Sequence, residues 1–148
     1  MSSRIPIAYV DIRVFAHATE DQEKVLKALR NTLSTELIEK ITFKQSRLTG
    51  HHGNPIVLFE TKVKEKDVAE AFFKKLSSSL ECLDKELLSR EIEQHVDKGN
   101  LYIRLDKQSA FLNKFKIRLV DPIRLRVHFK KHSLEEIVDI CRKSGMLP

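Results

Sequence analysis

Nine lysines and arginines lie between Arg104 and Lys131, against Asp106 and Asp121 as the only acids. Cations at that density can neutralise a chain of phosphates, the sequence-independent part of nucleic-acid binding. Lys114, Lys116, Arg118, Arg124, Arg126 and Lys130 occupy alternate positions of two segments. The residues between them are Phe115, Ile117 and Leu119 in one, and Ile123, Leu125, Val127 and Phe129 in the other. Period two places the two sets on opposite faces of a strand, so the cations share the face turned away from the core. Just upstream, Leu101, Ile103 and Leu105 alternate with Tyr102, Arg104 and Asp106, and Lys107-Gln108 follow. Arg104 and Lys107 can hold phosphates, the Gln108 amide can reach a base edge or sugar hydroxyl, and Tyr102 can stack on a base.

A solvated face and protection against edge pairing also put lysine and arginine on strands. A merely solvated face mixes signs, however, and like charges opposed across strands destabilise a sheet. The cluster therefore points to a polyanion. Gly50-His51-His52-Gly53-Asn54 reads as a hairpin loop. Its amides and imidazoles could alternatively approach a ligand phosphate. Adjacent histidines on extended chain point apart and no third ligand lies nearby, so the spacing makes no metal site. The chain carries no Gly-rich phosphate loop, no nucleophile elbow and no acidic cluster of a two-metal nuclease. No cofactor, metal or catalytic residue is expected, although Asp11, Asp106 and Asp121 could converge on one ion.

The elements that must position these residues follow from local pattern. Ile7 to Ala16 predicts a strand with Ala8, Val10, Ile12, Val14 and Ala16 on one face. Thr19 to Gln22 reads as a capping box ahead of a helix with Val25, Leu26, Leu29 and Leu33 inward. Strands at 41–48 and 55–63 flank the glycine loop. Lys66 to Leu76 predicts a helix that Ser77-Ser78-Ser79 interrupts. A second helix, capped by Ser79, then runs to about Asp97 with Leu80, Leu83, Leu87, Leu88, Ile92 and Val96 inward. The basic region predicts a strand at 101–106 and a hairpin of 114–119 with 123–130, turned at Val120-Asp121-Pro122. Ser133 to Glu136 is a capping box opening a last helix that Gly145 ends. The order β-α-β-β-α-α-β-β-β-α predicts an α+β fold, a two-layer sandwich with helices on one face of a largely antiparallel sheet.

At 148 residues, 1–148 forms one domain. No apolar run spans a membrane, and the first residues lack the apolar core of a signal peptide, so a cytoplasmic protein is expected. Cys82 and Cys141 are unpaired in pattern and read as small core residues. Residues 1–100 carry 16 Lys+Arg and 16 Asp+Glu, whereas 101–148 carry 11 against 5, so the net +6 belongs to the last third.

Leu48-Thr49-Gly50-His51-His52-Gly53-Asn54-Pro55-Ile56 and Leu101-Tyr102-Ile103-Arg104-Leu105-Asp106-Lys107-Gln108 together resemble the two signature segments of a small archaeal family. That family is described as RNA-binding and exosome-associated, and is similar in fold to the ribosomal large-subunit protein that binds 5S RNA. The resemblance covers nearly the whole chain and implies RNA as partner, with exosome or ribosome-related proteins beside it. It adds weight to Arg104, Lys107, Gln108, His51, His52 and Asn54. Asn113 departs from it, standing where a glycine is expected before the basic hairpin. The reading is a non-enzymatic RNA-binding protein. Its rivals are an adaptor whose basic face docks an acidic partner, and a metal-dependent nuclease using Asp106.

Overall fold

Six strands build one sheet in the computed structural model, which describes residues 5–33, 41–50, 52–130 and 132–148. They are β1 (Ile7–Ala16), β2 (Lys44–Thr49), β3 (Pro55–Val63), β4 (Val96–Asp97), β5 (Asn100–Leu105) and β6 (Ile123–Phe129). Their order is β2-β3-β1-β6-β5-β4, with every neighbouring pair antiparallel. Among the described residues six helices accompany them: α1 (Gln22–Asn31), α2 (Lys66–Ser79), α3 (Cys82–Arg90), α4 (Ile92–His95), α5 (Lys107–Phe111) and α6 (Leu134–Ser144). Val10, Ile12, Leu125 and Val127 from the sheet share one core with Leu29, Phe72, Phe73, Leu76 and Ile137 from the helices. The chain is thus the expected α+β sandwich with one sheet face left open. Among the described residues, no helix is long and apolar enough to cross a membrane.

Alternation predicts β1, β3, β5 and β6 to within a residue or two. One detail differs in β1: a register shift between Ile7 and Tyr9 turns Ile7 inward and leaves Ala8 half-buried. The expected hairpin of 114–119 with 123–130 does not form. Both edges of β6 are taken, by β1 on one side and β5 on the other. Residues 113–120 instead run irregularly beside β5, joined by an isolated bridge of Leu105 with Ile117. Phe115 is buried there, while Leu119 and Val120 are exposed. Asn113, at φ 61, supplies the left-handed residue for which a glycine was expected.

The helical region is also partitioned differently. Ser77, Ser78 and Ser79 continue α2, because the Ser77 hydroxyl donates to the Phe73 carbonyl and Ser78 to that of Lys75. The long second helix is instead α3, α4 and the strand β4, whose two residues pair with β5 across Lys98-Gly99. Both turn residues have positive φ, and a Cβ on Gly99 would stand 3.2 Å from the Phe129 carbonyl oxygen. Asp84 accepts the Ile117 N–H at 3.0 Å, turning its side of α3 inward. Leu83 is left 77% exposed and Leu87 exposed as well. Cys82 is likewise exposed, not a core residue, whereas burial pushes the Cys141 thiol up to about 12. At α1 the cap is Asp21, which accepts from the Glu23 N–H, in place of Thr19.

The last helix matches its pattern. Ser133 and Glu136 form a reciprocal capping box, and Gly145 ends the helix at φ 88. Ser133→Ala should lower stability by about 1 kcal/mol, read in urea unfolding, with the far-ultraviolet circular dichroism unchanged.

Candidate nucleic-acid interface

Strand pairing assembles a row of arginines across the open face that no single segment contains. Arg104 on β5 stands opposite Arg124 on β6, and Arg124 stands opposite Arg13 on β1. At the outer edge the Arg118 N–H donates to the Arg104 carbonyl at 3.0 Å, bringing a fourth arginine alongside. With strands about 4.8 Å apart, the row is roughly 14 Å long. Arg13 meets Glu60 on β3 at 3.2 Å, and Arg118 Nε lies 3.8 Å from Asp106. Among the described residues, no carboxylate pairs with Arg104 or Arg124. The Arg124 guanidinium lies 5.9 Å from the Phe15 ring centroid.

The next row along the strands is Tyr102, Arg126 and Asp11. Arg126 donates to both the Asp11 carboxylate and the Tyr9 hydroxyl. Burial opposes the Arg126 charge, but the Asp11 hydrogen bond and attraction outweigh it and raise its pKa further. Arg126 is therefore charge-compensated by Asp11, and its Nε is buried with no hydrogen-bond partner among the described residues. Beyond it Tyr9 stacks on His128 at 4.9 Å and carries Lys62 4.5 Å above its ring. Between the two rows lies a cleft of about 260 Å³, lined by Arg13, Arg104, Arg124, Arg126, Asp11 and Tyr102. Tyr102 is 37% exposed.

The remaining predicted residues fall in different places. Arg124 and Arg126 lie on the sheet face as expected, and Arg118 joins its edge. Lys114 and Lys116 are exposed on the irregular segment instead of a strand, Lys116 3.9 Å from Glu81. Lys130 is exposed past the far end of β6, about 20 Å along the chain from Arg124. Gln108 is exposed on α5. Lys107 is nearly buried, at 11% side-chain exposure. Its ammonium donates to the Phe15 carbonyl, to Glu20 at 3.0 Å and to Asp121 at 2.9 Å. Asp106 caps α5, accepting from the Ser109 N–H and hydroxyl. His52 and Asn54 are exposed in the β2–β3 loop, and His51 lies outside the described residues. The register puts that loop at the same end of the sheet as Arg104 and α5, three strands away.

His17, Glu20 and Asp121 form the one three-residue group with metal-ligating atoms among the described residues. Lys107 already sits against both carboxylates, and His17 Nε2 is 2.9 Å from Asp121. Burial alone would raise the Asp121 pKa, yet its bonds from Lys107 and His17 bring it below the ordinary value. Sequence reasoning missed Arg13, Glu60 and Lys62, because their relevance appears only in cross-strand register.

A family model described as RNA binding matches residues 9–129. A Pyrococcus abyssi protein named as an RNA-binding protein is 33% identical over 139 residues, covering 92% of this chain and 90% of its own. A DUF54 protein of Archaeoglobus fulgidus, known from a crystal structure, is similar with a TM-score of 0.77 and 28% identity. That match covers 93% of this chain and 99% of the other. A DUF54 protein of Methanothermobacter thermautotrophicus gives a TM-score of 0.74 at 26% identity, over 96% and 98% of the two chains.

Proposed function

Because the chain belongs to the RNA-binding family whose model spans residues 9–129, we propose that it is a non-enzymatic, cytoplasmic protein that holds RNA phosphates on its open sheet face. The observation that carries this is the in-register row Arg118, Arg104, Arg124 and Arg13. Like charges set directly opposite destabilise a sheet, so a stability-only account has no use for the row. A bound phosphate backbone turns the repulsion into attraction, and arginine's planar fork matches phosphate oxygens in pairs. Tyr102 offers a base its ring beside the row. Lys114 and Lys116 extend the positive field outward, and the loop with His52 and Asn54 flanks the same end. The Lys107 ammonium, set against both the Glu20 and Asp121 carboxylates, opposes a cation at the His17–Glu20–Asp121 cluster. The setting, RNA processing or degradation beside the exosome, rests on the resemblance of residues 48–56 and 101–108 alone.

Fluorescence anisotropy with a labelled single-stranded RNA over a salt series tests this reading. Binding should be sub-micromolar at low salt, with log K falling against log salt at a slope near −2, the value for about three phosphates. A shallow slope with affinity no better than that of an unrelated basic protein would refute it. The adaptor reading would then lead, since Leu83, Leu119 and Val120 offer exposed apolar surface next to Lys116 and Arg118.

A further inference from the structure

The geometry points to a more specific ligand: the cleft between the two rows takes a terminal phosphomonoester of an RNA strand together with its nucleoside. This inference rests on the RNA-binding reading above. A long phosphate track needs positive charge that continues at the spacing of successive phosphates. Here the charge is bracketed. Glu60 meets Arg13 at one end of the row, Asp106 flanks Arg118 at the other, and Asp11 holds Arg126 below. The cations left without a carboxylate, among the described residues of the two rows, are the adjacent Arg104 and Arg124, one strand spacing apart. Two guanidinium groups on neighbouring strands that line one cleft can offer several donors to a single ligand, which suits one group with about two negative charges and three acceptor oxygens. An internal phosphodiester offers one charge and two free oxygens and satisfies the pair less fully.

The cleft agrees in size and lining. At about 260 Å³ it lies just below the range of pockets that enclose a whole drug-sized ligand. A phosphate with part of its nucleoside fits that volume. Tyr102, two residues from Arg104 on the same face of β5, stands where the attached base or ribose would lie. Asp11 on the cleft wall is held by Arg126, so its charge is not presented bare to the phosphate.

The test uses the full chain and short RNAs of one sequence that differ only at the ends: 5′-phosphate, 3′-phosphate or hydroxyl at both. At least one phosphorylated RNA should bind roughly tenfold tighter than the hydroxyl form, the factor carried by one added hydrogen bond to a charged group. That preference should shrink as pH drops from about 7.5 to 5.5, because the second phosphate proton binds near pH 6. Arg104→Gln/Arg124→Gln, at unchanged melting temperature, should erase the preference. Equal affinity for all three RNAs, lost in the variant, would overturn the terminal assignment and leave the RNA-binding reading intact. No binding to any would overturn both. Displacement by adenosine monophosphate as effective as by the RNA itself would make the ligand a free nucleotide and overturn the strand-end assignment.

Discussion

Arg104→Glu/Arg124→Glu should lower RNA affinity roughly a hundredfold and leave the fold intact. Each lost contact between a guanidinium and a phosphate removes a hydrogen bond of about 1.5 kcal/mol, and two of them amount to a factor near one hundred. The salt slope should flatten by about 0.7, since the two arginines share one phosphate and each single-stranded phosphate engaged contributes about that much. Stability should hold or rise. A glutamate at position 124 would face Arg13 and one at position 104 would lie beside Arg118, so two like-charge neighbours become opposite pairs, while the 104–124 pair merely exchanges one like-charge pair for another. This combination separates a binding role from a structural one. A variant that melts early and binds weakly would say only that the sheet is damaged, whereas full affinity in a folded variant would remove the arginine row from the interface. Paired with Lys114→Glu/Lys116→Glu, the measurement also ranks the two basic regions: the irregular segment should contribute a smaller loss.

Lys107→Met should instead destabilise the fold, by about 2 kcal/mol near neutral pH, and change RNA binding little while the protein stays folded. The methionine removes three hydrogen bonds at once and leaves Glu20 and Asp121 facing each other without their cation. Stripping one partner from a fully buried ion pair costs about 3–5 kcal/mol. The lower figure applies because Asp121 is 40% exposed and water takes over part of its solvation. The effect has a pH signature. Asp121 titrates below its ordinary value of about 3.9 because Lys107 and His17 bond its charged form, overcoming the effect of burial. Its contribution is present above that ordinary value and fades as pH falls through the folded one. The gap between wild type and variant in urea unfolding should therefore narrow as pH is lowered below that ordinary value. A Lys107→Met protein with undiminished stability and sharply reduced RNA affinity would return this lysine to the interface, as the resemblance to the RNA-binding family implies.

The arginines and Lys107 differ in how far their surroundings can be read from the chain. Arg104, Arg118 and Arg124 were legible as interface candidates because each sits at an alternating position among apolar neighbours. Lys107 looked equally basic from the chain, and its burial beneath Asp121 and Glu20 has no local signal at all. Leu83 and Leu87 have the spacing of a buried stripe, yet Asp84 turns its own side of α3 inward by accepting from Ile117.

What the chain determines by itself is whatever one segment can specify with its own geometry. Alternation places Val10, Ile12, Leu125 and Val127 inward because a pleat turns successive side chains to opposite faces wherever it lies. Ser133 with Glu136 opens α6 because a capping box closes within four residues. Tertiary structure alone decides which strands become neighbours. β6 lies between β1 and β5, which displaces residues 113–120 to the edge and brings Arg13, Arg104 and Arg124 into one row from strands far apart in the sequence. Register of this kind depends on long-range burial of whole faces, since a slip of one residue would exchange core for surface along an entire strand. The cations can be read from the sequence; the row they form is a property of the sheet.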